Sequence, residues 1–322
     1  MAPAIQIENI SKRYVTEFAL SDITIGIQQG AFGLIGPNGA GKTTLIKLIC
    51  GLLRPTSGTI SIKGHRPGSP GANASIGYLS EHQGYYEFKS PNEYLRYFGE
   101  LYGLSRSEMD KSIPRLLGMV NLRNNAADPI STFSRGMRQR VGIARAMLHD
   151  PDFYILDEPL SGLDPTGRRD VLRILTRLKE AGRTILLSSH ELKDMDVFCD
   201  EICILRKGRK IAQGNPNSLM SNVKDAREML AFNLHSPSEV LPALPREIPG
   251  ILAFEVSPGG FQVTIPHDPA LERRILRWLL VKKVDFSVKK HVIDSLYTHL
   301  FEEQPPAQET VQEEDEAATE VI

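Results

Sequence analysis

Apolar and polar residues alternate in Ile5-Gln6-Ile7-Glu8 and again in Ile23-Thr24-Ile25. That period of two predicts strands buried on one face. Phe32-Gly33-Leu34-Ile35 is non-polar throughout and runs into a glycine-rich stretch. From Lys42 the period lengthens, and Leu45, Leu48 and Ile49 fall on one face of a predicted helix.

Residues 84–150 read as a helical insert. Ser90-Pro91-Asn92-Glu93 offers an N-cap, a first-turn proline and a capping-box glutamate, and Ser105 with Glu108 repeats the signal. A further helix is expected near Ser134, with Val141, Ala144 and Leu148 inward. Phe153-Tyr154-Ile155-Leu156 and Thr184-Ile185-Leu186-Leu187 predict buried parallel strands around a helix that starts at Asp164-Pro165 and is lined by Val171, Leu175 and Leu178. Ile202–Leu205 and Lys210–Ala212 predict a closing hairpin around Gly208. The expected fold class is α/β for a domain of residues 1–222.

Beyond residue 222 the pattern changes. Phe254-Glu255-Val256 and Phe261-Gln262-Val263 flank Pro258-Gly259-Gly260, a hairpin signal. A helix near 269–281, a strand at Val284-Asp285-Phe286 and a helix near 291–301 complete a small α/β appendage, residues 223–301. Ile293, Leu296 and Leu300 of the last helix suit a dimer face, although packing in the core of the small domain is the plainer account. Residues 302–322 are acidic and poor in apolar groups, so disorder is expected there.

Composition adds limits. Of the 322 residues 41% are hydrophobic and 24% charged, ordinary for a soluble protein. No stretch approaches the roughly 18 apolar residues of a membrane span. The start, Met1-Ala2-Pro3-Ala4, lacks the regions of a secretory signal. Work at a membrane would therefore need another chain to cross it. The net charge of −1 hides eight acidic residues and no Lys or Arg from Glu302 onward, against 38 basic and 31 acidic residues before it. The basic body can face anionic lipid or nucleotide, although ordinary solvated surface is the plainer account. Three cysteines, Cys50, Cys199 and Cys203, form no disulfide framework and fit a reducing compartment. Cys199 and Cys203 with His190 fall short of a full metal-ligand set.

The chemistry gathers in two segments. Gly36-Pro37-Asn38-Gly39-Ala40-Gly41-Lys42-Thr43-Thr44 is a phosphate loop, set between a predicted strand and a predicted helix. Its glycines let backbone N–H groups curl around phosphates at a positive helix end. Lys42 is expected to reach the β and γ phosphates of ATP, and the Thr43 hydroxyl to take a Mg²⁺ position. Phe153–Leu156 lead into Asp157-Glu158. Asp157 is expected to hold the Mg²⁺ shell, and Glu158 to act as general base on the attacking water. Either segment alone would read as a glycine turn or an acidic turn; their pairing favours nucleotide chemistry.

Between them, Ser134-Arg135-Gly136-Met137-Arg138-Gln139-Arg140 resembles the signature sequence of ATP-binding cassette (ABC) ATPases. A serine N-cap followed by glycine makes a second anion-binding helix end. The resemblance implies more. Tyr14 stands where the family stacks an aromatic on adenine, Ser161-Gly162-Leu163-Asp164 resembles the D-loop, and His190 resembles the switch histidine. Glu81 occupies the Q-loop position, usually Gln and a Mg²⁺ ligand, with Gln83 as the other candidate. Arg135 and Met137 depart from the common signature. These departures and the appendage resemble the ABC-2 type exporter group. That similarity implies a P-loop NTPase fold with a helical subdomain, and a cytoplasmic ATPase subunit at the membrane's inner face. It also implies a homodimer in which Ser134 and Gly136 of one subunit face Lys42 and Thr43 of the other. A separate integral membrane permease is the implied partner, reached through the helical insert, and no nucleic acid is expected. Two alternatives stay open: a soluble cassette ATPase acting on ribosomes or DNA, and a regulatory cassette that does not turn ATP over.

Overall fold

The computed structural model describes residues 3–15, 17–190, 195–221, 227–235, 240–257, 259–266 and 268–291. The chain divides into two compact units, Met1–Asn222 and Val223–Ile322.

The first unit begins with β1 (Ile5–Tyr14), β2 (Glu17–Ile27) and β3 (Ala31–Ile35), followed by the glycine loop and α1 (Lys42–Ile49). Next come β4 (Ser57–Ile62), α2 (Pro70–Ser75) and β5 (Ile76–Leu79). Three helices follow, α3 (Pro91–Leu101), α4 (Arg106–Met119) and α5 (Arg135–Ala146). The chain then alternates β6 (Phe153–Leu156), α6 (Pro165–Glu180), β7 (Thr184–Ser189) and α7 (Met195–Phe198), and closes with β8 (Glu201–Arg206), β9 (Arg209–Gly214) and α8 (Pro216–Ser221).

Two sheets share one core. Antiparallel β2-β1-β4 presents Ile5, Ile7, Ile23 and Ile25 inward, as their alternation requires. The second sheet runs β5-β6-β7-β3-β8-β9, parallel except for the β8–β9 hairpin. Every residue of β3 and β6 is buried, which explains their unbroken apolar character. In such sheets ligands gather beyond the carboxyl ends of the parallel strands. β3, β6 and β7 end there at Ile35, Leu156 and Ser189.

The insert is less uniformly helical than its sequence suggests. Residues 84–90 precede α3, and two single 3-10 turns, Arg123–Asn125 and Ile130–Thr132, separate α4 from α5. Ser90 and Ser105 both close reciprocal capping boxes, with Glu93 and Glu108.

In the second unit, β10 (Arg227–Leu234) precedes the short α9 (Leu244–Glu247). β11 (Ala253–Ser257), β12 (Gly260–Pro266), α10 (Pro269–Val281) and β13 (Phe286–His291) follow. Their sheet is antiparallel, ordered β11-β12-β10-β13. Phe232, Phe261, Val263, Leu271, Ile275 and Leu279 form its separate core. The strand expected at 284–286 starts only at Phe286, because Lys283 turns the chain with φ +57° and Val284 drops into that core. The helix expected near 291–301, with Ile293, Leu296 and Leu300, and the acidic tail lie outside the described residues, apart from His291 at the end of β13.

Candidate active site

The glycine loop joins β3 to α1 and bounds a cavity of about 310 Å³. Asn38 to Thr44 line it, with Ala19, Glu81 and Glu158. Gly41 adopts φ +103°, and a Cβ there would sit 2.7 Å from the Ala19 carbonyl. Gly36 is as constrained, since a Cβ would strike the Leu205 carbonyl. Only glycine lets the backbone pass this close and aim the first amides of α1 into the cavity.

Lys42 is buried, yet its ammonium is satisfied. Nζ donates to the Gly36 carbonyl at 2.7 Å and the Pro37 carbonyl at 3.3 Å, and lies 3.3 Å from Glu158 Oε1. The other carboxylate oxygen, Oε2, is 2.8 Å from His190 Nδ1. Glu158 thus bridges Lys42 at the start of α1 and His190 just past β7. Lys42 compensates, and His190 hydrogen-bonds, a carboxylate that is 8% exposed.

Asp157, at the end of β6, is fully buried. The Ser188 hydroxyl donates to its Oδ1 at 2.6 Å and accepts the Glu158 N–H at 2.8 Å. Glu158 has φ +50°, a left-handed geometry that costs about 1–2 kcal/mol and that the Ser188 contact helps to hold. Burial raises the Asp157 pKa above the ordinary aspartate value, against the hydrogen bonds from Ser188 and Thr43; Glu81 and Glu158 raise it further. Oδ2 of Asp157 has no hydrogen-bond partner among the described residues. A buried carboxylate oxygen without a partner among the described residues, the neighbouring Thr43 hydroxyl and the cavity residue Glu81 form an oxygen-rich set suited to Mg²⁺.

Glu81 and Gln83 part company. Glu81 lines the cavity, whereas Gln83 packs against α5, where a Cβ on Gly142 would lie 2.7 Å from its Nε2. Neither polar atom of the Gln83 amide has a partner among the described residues.

Ser134 caps α5, its hydroxyl accepting the Met137 N–H at 3.3 Å. Neither Ser134 nor Gly136 lines the phosphate-loop cavity. Arg135 lies against Gly162, and Gln139 Nε2 donates to the Pro159 carbonyl at 3.0 Å, tying this helix to the turn after Glu158. Tyr14 is exposed at the end of β1, its ring 5.1 Å from Lys12 Nζ, in the sheet that also carries the cavity residue Ala19. The site therefore brings together Lys42, Thr43, Asp157, Glu158, His190 and Glu81, and leaves Ser134, Gly136 and Tyr14 outside the cavity.

Sequence reasoning missed Ser188. Its signal was slight: a hydroxyl pair, Ser188-Ser189, ends an otherwise apolar buried strand. The three thiols are unbridged and Cys199 and Cys203 are buried, while no cluster of metal-ligating His, Cys, Asp and Glu occurs among the described residues.

Residues 20–161 match the family described as ABC transporter. An uncharacterised ABC transporter ATP-binding protein of Synechocystis is 38% identical over 231 residues, 69% of this chain and 65% of that protein. Nod factor export ATP-binding protein I of Cupriavidus metallidurans is 36% identical over 69% of this chain and 74% of its own length. A linearmycin resistance ATP-binding protein of Bacillus subtilis is 37% identical over 68% and 71%, respectively. A solved ATP-binding subunit of an ABC transporter superposes with a TM-score of 0.62 at 36% identity, covering 68% of this chain and 92% of that one. The cbiO1 structure from Clostridium perfringens gives 0.62 at 26% identity, covering 69% and 92%.

Proposed function

This chain belongs to the ATP-binding cassette transporter family, and on that premise we propose that it is the ATP-hydrolysing subunit of an ABC-2 type exporter, driving a separate membrane permease. The observation that carries the reading is Glu158, held between Lys42 and His190 at the mouth of the phosphate-loop cavity.

ATP phosphates entering the loop take the α1 amides and the Lys42 ammonium as partners. Phosphate oxygens at Lys42 displace Glu158 Oε1, leaving that carboxylate to accept a proton from water. His190 keeps it oriented through Oε2. Thr43, Asp157 and Glu81 would hold Mg²⁺, which would offset phosphate charge.

Ser134 is exposed and Gly136 half-buried at a helix end that does not line the chain's own cavity. That arrangement supports a homodimer in which each α5 end faces the partner's phosphate loop. Nucleotide bound between two such surfaces favours the closed dimer, and hydrolysis reopens it. Tyr86, Phe88, Tyr97 and Leu101 are exposed on and before α3. An aromatic patch of this kind suits docking to a permease. No helix among the described residues is long and apolar enough to cross a membrane.

Phosphate release by the purified chain with MgATP, and recovery of an integral membrane subunit with the protein, test the two halves. Absent turnover by both the chain and its membrane complex would sink the catalytic reading.

A further inference from the structure

The outer face of α10 carries charges that the core of its unit does not use. Leu271, Ile275 and Leu279 are buried, whereas Arg273, Arg274 and Arg277 are exposed. Leu280 and Val281 are exposed too, at 67% and 70%. At 3.6 residues per turn, Arg273, Arg277 and Leu280 form one row, and Arg274 and Val281 the next. Exposed Lys283 follows in the turn.

Neighbouring carboxylates are mostly committed elsewhere. Asp268 accepts the Ala270 N–H at 2.8 Å. Glu247 accepts Trp278 Nε1 at 2.7 Å and pairs with Lys282 at 3.3 Å. Exposed Asp285 lies two residues past Lys283, and Glu272, half-buried on α10, has a partner of its own. The face is therefore cationic along its length and apolar at its C-terminal tip.

We propose that this face of α10 contacts an anionic lipid surface: the three guanidinium groups meet phosphate and carboxylate headgroups while Leu280 and Val281 enter the boundary beneath them. A second copy stacked on the same face would set arginine against arginine. Nucleic acid would match the cations but leave Leu280 and Val281 in water. Lipid alone satisfies both features. This rests on the membrane-bound role proposed above, and gives the second unit a partner distinct from the permease.

Trp278, the chain's single tryptophan, lies on the same helix and reports the contact. Full-length protein is mixed with phosphatidylcholine vesicles, with or without phosphatidylserine. Trp278 emission should change, and protein should sediment, only with the anionic vesicles. Arg273→Glu with Arg277→Glu should weaken partitioning at least ~tenfold. Leu280→Ser with Val281→Ser should weaken it ~3-fold or more at unchanged charge. Circular dichroism and phosphate release without vesicles should stay as in the wild type. Equal binding to neutral vesicles, no binding to either kind, or wild-type partitioning of either double variant would overturn the proposal. Phosphate release is measured separately, so failure of the ATPase reading would be seen apart from failure of this one.

Discussion

The Ser188 hydroxyl donates to Asp157 Oδ1 at 2.6 Å, and the same oxygen accepts the backbone N–H of Glu158 at 2.8 Å. One short polar side chain on β7 thereby orients both acidic residues that follow β6. Ser188→Ala removes a bond to a buried carboxylate and strands a buried N–H. Stability should fall by about 1–3 kcal/mol in denaturant melts. The Mg²⁺ concentration for half-maximal phosphate release should rise ~tenfold, because Asp157 loses its fixed orientation.

Glu158→Gln keeps the shape of the side chain and removes the base. Phosphate release should drop ~100-fold or more while ATP binding persists. Light scattering with MgATP should show the variant accumulating as a dimer. A variant that turns over at the wild-type rate would remove Glu158 from the chemistry.

Glu81 and Gln83 can be told apart. Glu81→Ala should raise the Mg²⁺ requirement, since Glu81 lines the cavity, with little effect on melting. Gln83→Met should leave catalysis unchanged and be neutral or stabilising by about 1 kcal/mol, because it replaces a buried amide that has no partner among the described residues. The reverse pattern would assign the cavity role to Gln83.

Hydrogen bonding from Trp278, then from Lys282, holds the Glu247 carboxyl below its ordinary value of 4.5. The sign follows from a depressed acid: its contribution to stability is complete above the unfolded value and is lost as pH falls through the folded one. Acid titration of Trp278 fluorescence should show a transition below pH 4.5 that Glu247→Gln abolishes.

Much of this is legible in the sequence alone. The glycine loop, the apolar run into Asp157-Glu158 and the caps at Ser90, Ser105, Ser134 and Asp164 are local signals, and each lies where its pattern indicates. Elements with weak local signals were not read. β5 is only four residues long, and β10, flanked by β12 and β13, owes its place to partners distant in sequence. The strand expected at Val284 shifted because core packing outweighed its β propensity.

What the sequence by itself determined is the list of chemical groups: Lys42, Thr43, Asp157, Glu158 and His190, each marked by its short-range setting. Tertiary structure decided their pairing. Ser188 meets Asp157 because β6 and β7 run parallel side by side. Glu158 reaches Lys42 because β3 neighbours β7 on its other side. Glu81 enters the cavity while Gln83 turns to α5, two residues away in the chain. These relations depend on sheet order and side-chain direction. Both arise from long-range packing, which short stretches of sequence do not encode.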